Sequence, residues 1–151
     1  MLAWRITREA FQALDGEGAR LFGGRWNSEG LPVVYLASTL SLAALEYLVH
    51  VDPQQVPDDL VAMQVEVPEE PGVDRVLEEN LPKGWNELTE HVACMAAGDA
   101  WVEAGASLAL RVPSAIVPEE ENVLVNPRHP GAGGVRVVSV RRFAFDPRLL
   151  E

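Results

Sequence analysis

Val33-Val34-Tyr35-Leu36-Ala37-Ser38-Thr39-Leu40-Ser41-Leu42-Ala43-Ala44-Leu45-Glu46-Tyr47-Leu48-Val49-His50 is the stretch on which the architecture turns. Five apolar or aromatic residues in a row, opening on two β-branched ones, read as a strand buried on both faces. Ser38 and Thr39 each offer a hydroxyl to the free amides of a first helical turn, so a helix is expected from Leu40 to about His50. One strand, one cap and one helix therefore follow each other without a linker.

Working outward, Leu2 to Ile6 reads as a first strand, followed by a polar, glycine-containing stretch through Gly18. Gly23-Gly24-Arg25-Trp26-Asn27-Ser28-Glu29-Gly30 sets three glycines, Asn and Ser around an Arg-Trp pair, which is turn chemistry on a loop able to carry function. Downstream, Leu60 to Val67 alternates, with Val61, Met63, Val65 and Val67 on one face and Ala62, Gln64 and Glu66 on the other, as in a half-buried strand. Pro68, Pro71 and Gly72 end it, and a helical turn is expected near Val73 to Asn80. Asn86 reads as the cap of a helix through Ala104, with Gly105 at the left-handed position beyond its end. Ser107 to Val112, Asn122 to Val125 and Val135 to Ala144 complete the strands. That order predicts a mixed α/β, or α+β, fold: a single domain over residues 1–151 with a central mixed sheet.

Composition narrows the functional classes. The 151 residues carry 12 Lys+Arg against 23 Asp+Glu, a net charge of -11. This repels a phosphate backbone, so direct nucleic-acid binding is not expected. Lys83 is the only lysine and Cys94 the only cysteine, which leaves no internal disulfide. His50, His91 and His129 lack metal-ligand spacing, so no metal site is expected. The most apolar segment, Leu31 to Val51, is too polar for a membrane span. No secretory leader pattern opens the sequence, and a cytoplasmic location is expected.

The usual nucleotide and hydrolase signatures are absent. What remains is a series of polar residues where local pattern favours apolar ones. On the helix, Leu42, Leu45, Leu48 and Val49 form an apolar arc, with Glu46 at its edge between Leu42 and His50. It reads either as a boundary carboxylate paired with a neighbour or as a functional acid. Tyr35 reads either as a core aromatic with its hydroxyl at the rim or as a ligand-facing group. Arg25 is either a solvated loop arginine or a fork for phosphate, approached closely because glycines flank it. Ser114 and Asn126, each beside a proline at a strand end, are turn formers that could also reach a ligand.

Taken together, Trp4-Arg5-Ile6, Gly23-Gly24-Arg25-Trp26-Asn27, Val34-Tyr35-Leu36-Ala37-Ser38, Leu45-Glu46, Gly98-Asp99-Ala100-Trp101, Leu110-Arg111-Val112-Pro113-Ser114, Asn126-Pro127-Arg128-His129-Pro130 and Phe145-Asp146-Pro147-Arg148-Leu149 resemble the RES-domain family. These are the toxin halves of RES-Xre toxin-antitoxin pairs, with a fold like that of ADP-ribosyltransferases. The resemblance implies an enzyme that takes NAD as substrate, with no permanently bound cofactor, and cleaves its nicotinamide-ribose bond. It implies Arg25 on the dinucleotide, Tyr35 at the nicotinamide side and Glu46 at the nicotinamide ribose. Trp26, Asn27, Ser114 and Asn126 would line the same pocket. Phosphate, water or a protein side chain could be the acceptor. It further implies a cytoplasmic Xre-like helix-turn-helix antitoxin that blocks the NAD site at the arginine-bearing loop, in an oligomeric complex. A catalytically silent relative that only binds nucleotide or partner is the alternative from another class, and an RNA-cleaving toxin is a third.

Overall fold

In the computed structural model, which describes residues 1–70, 72–89 and 91–151, seven strands form one sheet: β1 (Leu2–Arg8), β2 (Val34–Ala37), β3 (Leu60–Glu66), β4 (Val73–Arg75), β5 (Ala109–Pro113), β6 (Glu121–Val125) and β7 (Arg136–Arg142). Three helices, α1 (Glu17–Phe22), α2 (Leu40–Leu48) and α3 (Val92–Ala104), accompany them. The strand order is β4-β5-β6-β2-β1-β3-β7. Only β4 and β5 run parallel; every other pair is antiparallel. The mixed sheet and α+β character expected from sequence are present in a single compact domain.

Strand alternation sorts the core into two faces. Val34, Leu36, Val61, Met63, Val65, Val123 and Val125 fill one side together with Leu108 and Ala109. On the other, Leu110, Val112 and Leu124 meet Trp101 and Val102 of α3, while Ile6, Ala37, Leu60 and Ala62 meet Leu42 and Ala43 of α2 and Phe145. That second helix explains why Leu60 and Ala62 are buried although the alternation of β3 predicts one wet face. Each helix covers its own half of the face. The sheet itself opens between these halves, because β1 pairs with β3 along its whole length but meets β2 only at Trp4 opposite Ala37.

Several local expectations are corrected. β1 runs on through Arg8, whose guanidinium pairs with Asp59 beside the strand. α1 has no counterpart among the expected elements, because six residues bounded by Gly16 and containing Gly18 are too few to show a period. Residues 73–75 form an edge strand on β5, and only Glu78–Asn80 makes a helical turn, of 3-10 type. A ladder partner satisfies these amides where an isolated short helix cannot. α3 begins at Val92, not after Asn86; in the segment before it the Trp85 and Glu87 carbonyls accept from the Arg25 guanidinium. Gly105 ends α3 at φ 61°, as expected. Pro71, expected among the residues that end β3, and Glu90, within the expected helix, lie outside the described residues.

Candidate functional site

The Thr39 hydroxyl accepts from Leu42 N and starts α2 directly after β2, so the phase of the helix is set by the strand. That phase differs from the expected arc. Leu42 and Ala43 are buried at 0% and 6% exposure, whereas Leu45 and Val49 stand 39% and 57% exposed. Glu46 lies one turn beyond Leu42 and Ala43 and is half-buried, at the edge of the packed face as expected. There it accepts from the Ser114 hydroxyl, Oγ to Oε1 at 2.9 Å. Ser114, fully buried just past β5, also accepts from Ile116 N at 3.1 Å and Val117 N at 3.2 Å. One donor and two acceptors exhaust a hydroxyl. Ser114 therefore orients Glu46, while Glu46 Oε2 has no hydrogen-bond partner among the described residues.

The glycine-bearing loop is fastened on three sides. The Tyr35 hydroxyl donates to Asn27 Oδ1 at 2.7 Å and accepts from Trp26 N at 3.1 Å. The Asn27 amide, with no exposed surface, serves the carbonyls of Ala19, Ser28 and Leu31. Asp99 on α3 accepts from the Ser28 amide at 2.8 Å and from its hydroxyl. Gly98 is obligatory in this docking, since a Cβ there would stand 1.7 Å from the Trp26 carbonyl oxygen. Burial pushes the Tyr35 phenol well above its ordinary value. It stays a neutral donor throughout the physiological range.

Arg25 leaves this loop with Nη1 2.8 Å from Trp85 O and Nη2 3.1 Å from Glu87 O. Among the described residues these two carbonyls occupy two of its five N–H donors. The Trp26 ring is core, 2% exposed and 6.5 Å from the ring of Trp85.

Where the sheet opens between β1 and β2, these elements enclose a cavity of about 1380 Å³. Arg25, Tyr35, Glu46, Trp26 and Asn27 all line it. Ser114 touches it through Glu46, and its neighbours Ala115 and Ile116 form part of the wall. Asn126 is not brought there. It is 1% exposed, with Nδ2 donating to Val102 O and Oδ1 accepting from Arg128 N, a turn former behind β6.

The structure adds Arg5, quoted above without a role. Arg5 lines the cavity from β1, and among the described residues its guanidinium makes one hydrogen bond, to Ala13 O at 3.1 Å. Burial lowers its pKa, partly offset by the Asp15 carboxylate. A polar residue facing inward from a central strand was the sequence signal available for it. Asn122 of β6 also reaches the wall. The volume exceeds the roughly 300–1,000 Å³ of ordinary small-molecule pockets. Two arginines and a half-satisfied carboxylate among the lining residues suit an anionic molecule with hydroxyls to offer. Among the described residues no group of three His, Cys, Asp or Glu side chains could hold a metal ion. No helix among them is long and apolar enough to cross a membrane.

Comparison with known proteins places this geometry in context. The RES domain family matches residues 2–146. A protein of Sphingobium sp. (strain YBL2) named Prs ADP-ribosylating toxin is 39% identical over 98% of this chain and 96% of its own length. Toxin Res of Photorhabdus laumondii is 41% identical over 84% of this chain and 82% of its own. Among solved structures, a chain of the M. tuberculosis MbcT-MbcA toxin-antitoxin complex superposes with a TM-score of 0.79, covering 99% of this chain and 86% of that one at 21% identity.

Proposed function

The chain belongs to the RES domain family, and from that premise we propose that it is the toxin of a toxin-antitoxin pair, an enzyme that consumes NAD by cleaving the nicotinamide-ribose bond. The observation that carries this reading is that Arg25, Arg5 and the Ser114-anchored Glu46 all line one large cavity. Arg25 and Arg5 neutralise the diphosphate, which accounts for a dinucleotide site without a glycine-rich phosphate cradle in a protein of net charge -11. Glu46 Oε2 accepts a hydroxyl of the nicotinamide ribose.

As the C1′–N bond breaks, its electron pair passes to the ring nitrogen and neutral nicotinamide leaves. The ribose carbon acquires oxocarbenium character, as in glycoside hydrolysis, and the fixed carboxylate stabilises that charge. Tyr35 contributes by holding the loop that carries Arg25, with its hydroxyl committed to Asn27. An incoming oxygen of phosphate or water then bonds to C1′ and releases its proton. Transfer of ADP-ribose to a protein side chain is the second reading, favoured by the name of the Sphingobium relative.

A partner covering the cavity suits its rim, where Phe22, Leu88 and Val49 are 80%, 88% and 57% exposed. An Xre-like helix-turn-helix antitoxin laid on this rim would close access to Arg25. The deciding experiment incubates purified protein with NAD, with and without phosphate, and measures free nicotinamide and the ADP-ribose product. Release in either condition supports the enzyme, and phosphate dependence identifies the acceptor. No nicotinamide under any condition, with an added lysate as acceptor source included, would leave only a nucleotide-binding relative.

A further inference from the structure

At the far edge of the sheet, β7 pairs with β3 on one side and, among the described residues, with nothing on the other. All seven of its residues are exposed, Val137, Val138 and Val140 at 43%, 54% and 42%. A free strand edge with exposed valines is a template for another strand, and proteins commonly blunt such edges. Here the blunting is one-sided in charge. Arg136, Arg141 and Arg142 are three of the 12 Lys and Arg residues in a chain with 23 acids.

These arginines are only partly neutralised. Arg136 pairs with Glu66. Arg142 donates to the Asp58 carbonyl, and Arg141 to the Arg142 carbonyl while lying 5.8 Å from the centre of the Phe143 ring. Neither Arg141 nor Arg142 contacts a carboxylate among the described residues. Such an edge discriminates between occupants. A second copy in antiparallel two-fold pairing about Ser139 would set Arg136 opposite Arg142 and load one ribbon with six arginines, and like charges across strands destabilise. A nucleic acid would gain nothing from the valines or the open backbone and would face the net charge of -11. An acidic strand answers all three features: its backbone completes the ladder, its carboxylates meet Arg141 and Arg142, and its apolar residues cover the valines.

We infer that β7 is a docking edge for an acidic extended segment of a partner protein, which adds to the sheet as an eighth strand. None of the β7 residues lines the cavity, so a partner seated here leaves the NAD site open. The surface thus stands independently of the proposed chemistry.

The test uses the full chain and a ten-residue peptide in which pairs of glutamates alternate with pairs of valines, so that each face carries carboxylates, blocked at both ends and followed by fluorescence anisotropy at low salt. Controls are a lysine-valine peptide and a single-stranded RNA of twenty nucleotides. Binding of the acidic peptide alone, slowed hydrogen exchange at the β7 amides, and at least tenfold weaker binding by Arg141→Glu/Arg142→Glu are expected. Arg141→Gln should weaken it less. The charge-reversed variant should keep the wild-type melting temperature and rate of nicotinamide release. Equal binding of the lysine-valine peptide, tighter binding of RNA, peptide binding without β7 protection, or no loss in the double variant would each overturn the inference. Failure of nicotinamide release in the wild-type protein would count against the NAD reading and leave the peptide result standing.

Discussion

The Ser114 hydroxyl donates to Glu46 Oε1 at 2.9 Å, tying the end of β5 to α2 across 68 positions of sequence. The same serine oxygen accepts two backbone amides, so it has no freedom to rotate away. The carboxylate is held with one oxygen anchored and one presented to the cavity.

This arrangement allows charge to be separated from packing. Glu46→Gln keeps an oxygen to accept from Ser114 but removes the negative charge. Nicotinamide release should fall about 10²–10³-fold, the usual effect of losing one transition-state electrostatic partner. The melting temperature should stay near that of the wild type. Steady-state release assays beside thermal unfolding check both halves, and undiminished release would remove Glu46 from the reaction.

Tyr35 makes a prediction about pH. Its hydroxyl is bonded on both sides and its phenol is pushed above the ordinary 10.0 by burial. Above pH 10.0 the unfolded chain therefore loses this proton while the folded chain retains it. The stability this group contributes is complete below pH 10.0 and declines as pH rises beyond it. Tyr35→Phe should lack that share of the alkaline decline. At neutral pH the variant should cost about 1–3 kcal/mol, because the Asn27 oxygen and Trp26 amide lose a buried partner. Urea unfolding of both proteins between pH 7 and 11 measures the two effects.

Arg5 and Arg25 differ in how they are held, and kinetics should reflect it. Arg25 is braced by two carbonyls and Arg5 by one. If each holds the diphosphate in ground and transition states alike, Arg5→Ala should raise KM for NAD about tenfold and leave kcat nearly unchanged. Arg25→Ala should raise KM further, because it also frees the Trp85 and Glu87 carbonyls and loosens the loop before α3. Saturation curves of nicotinamide release separate the two constants. A fall in kcat alone for Arg5→Ala would place its action on the reacting bond.

How far the sequence carried this picture follows from where the information sits. The run from Val33 to His50 announced β2, its cap and α2 because strand burial, a hydroxyl cap and helical spacing are all local. Glu46 could be singled out there, but not its direction. The inward face of α2 is chosen by contact with Ile6, Leu60, Ala62 and Phe145, from three distant parts of the chain. The segment before α3 is likewise set by a distant partner, since its Trp85 and Glu87 carbonyls accept from Arg25 some sixty residues away. Asn126 and Ser114 looked alike as polar residues beside prolines, yet one faces Val102 and the other Glu46. Only the sheet order separates them. Arg5 was visible as a cation in an apolar strand, but the opening between β1 and β2 that gives it a purpose is a tertiary fact.

The closest fit in the loop supplies the last prediction. A Cβ on Gly24 would lie 2.7 Å from the Tyr35 hydroxyl oxygen and 3.0 Å from Asn27 Oδ1. Gly24→Ala should therefore push the loop off Tyr35, breaking the bond to Asn27 and displacing Arg25, at a cost of about 1–3 kcal/mol. Tyr35→Phe removes the atom that the new methyl strikes. In the double variant the closest clash is removed, although Asn27 Oδ1 at 3.0 Å stays near, and the hydrogen bond cannot be lost twice, so the two destabilisations should sum to less than their separate values. A coupling of about 0.5–3 kcal/mol is the range for residues in contact. Chemical unfolding of the wild type, both single variants and the double variant closes the cycle. Strict additivity would mean that Gly24 is required by something other than its approach to Tyr35.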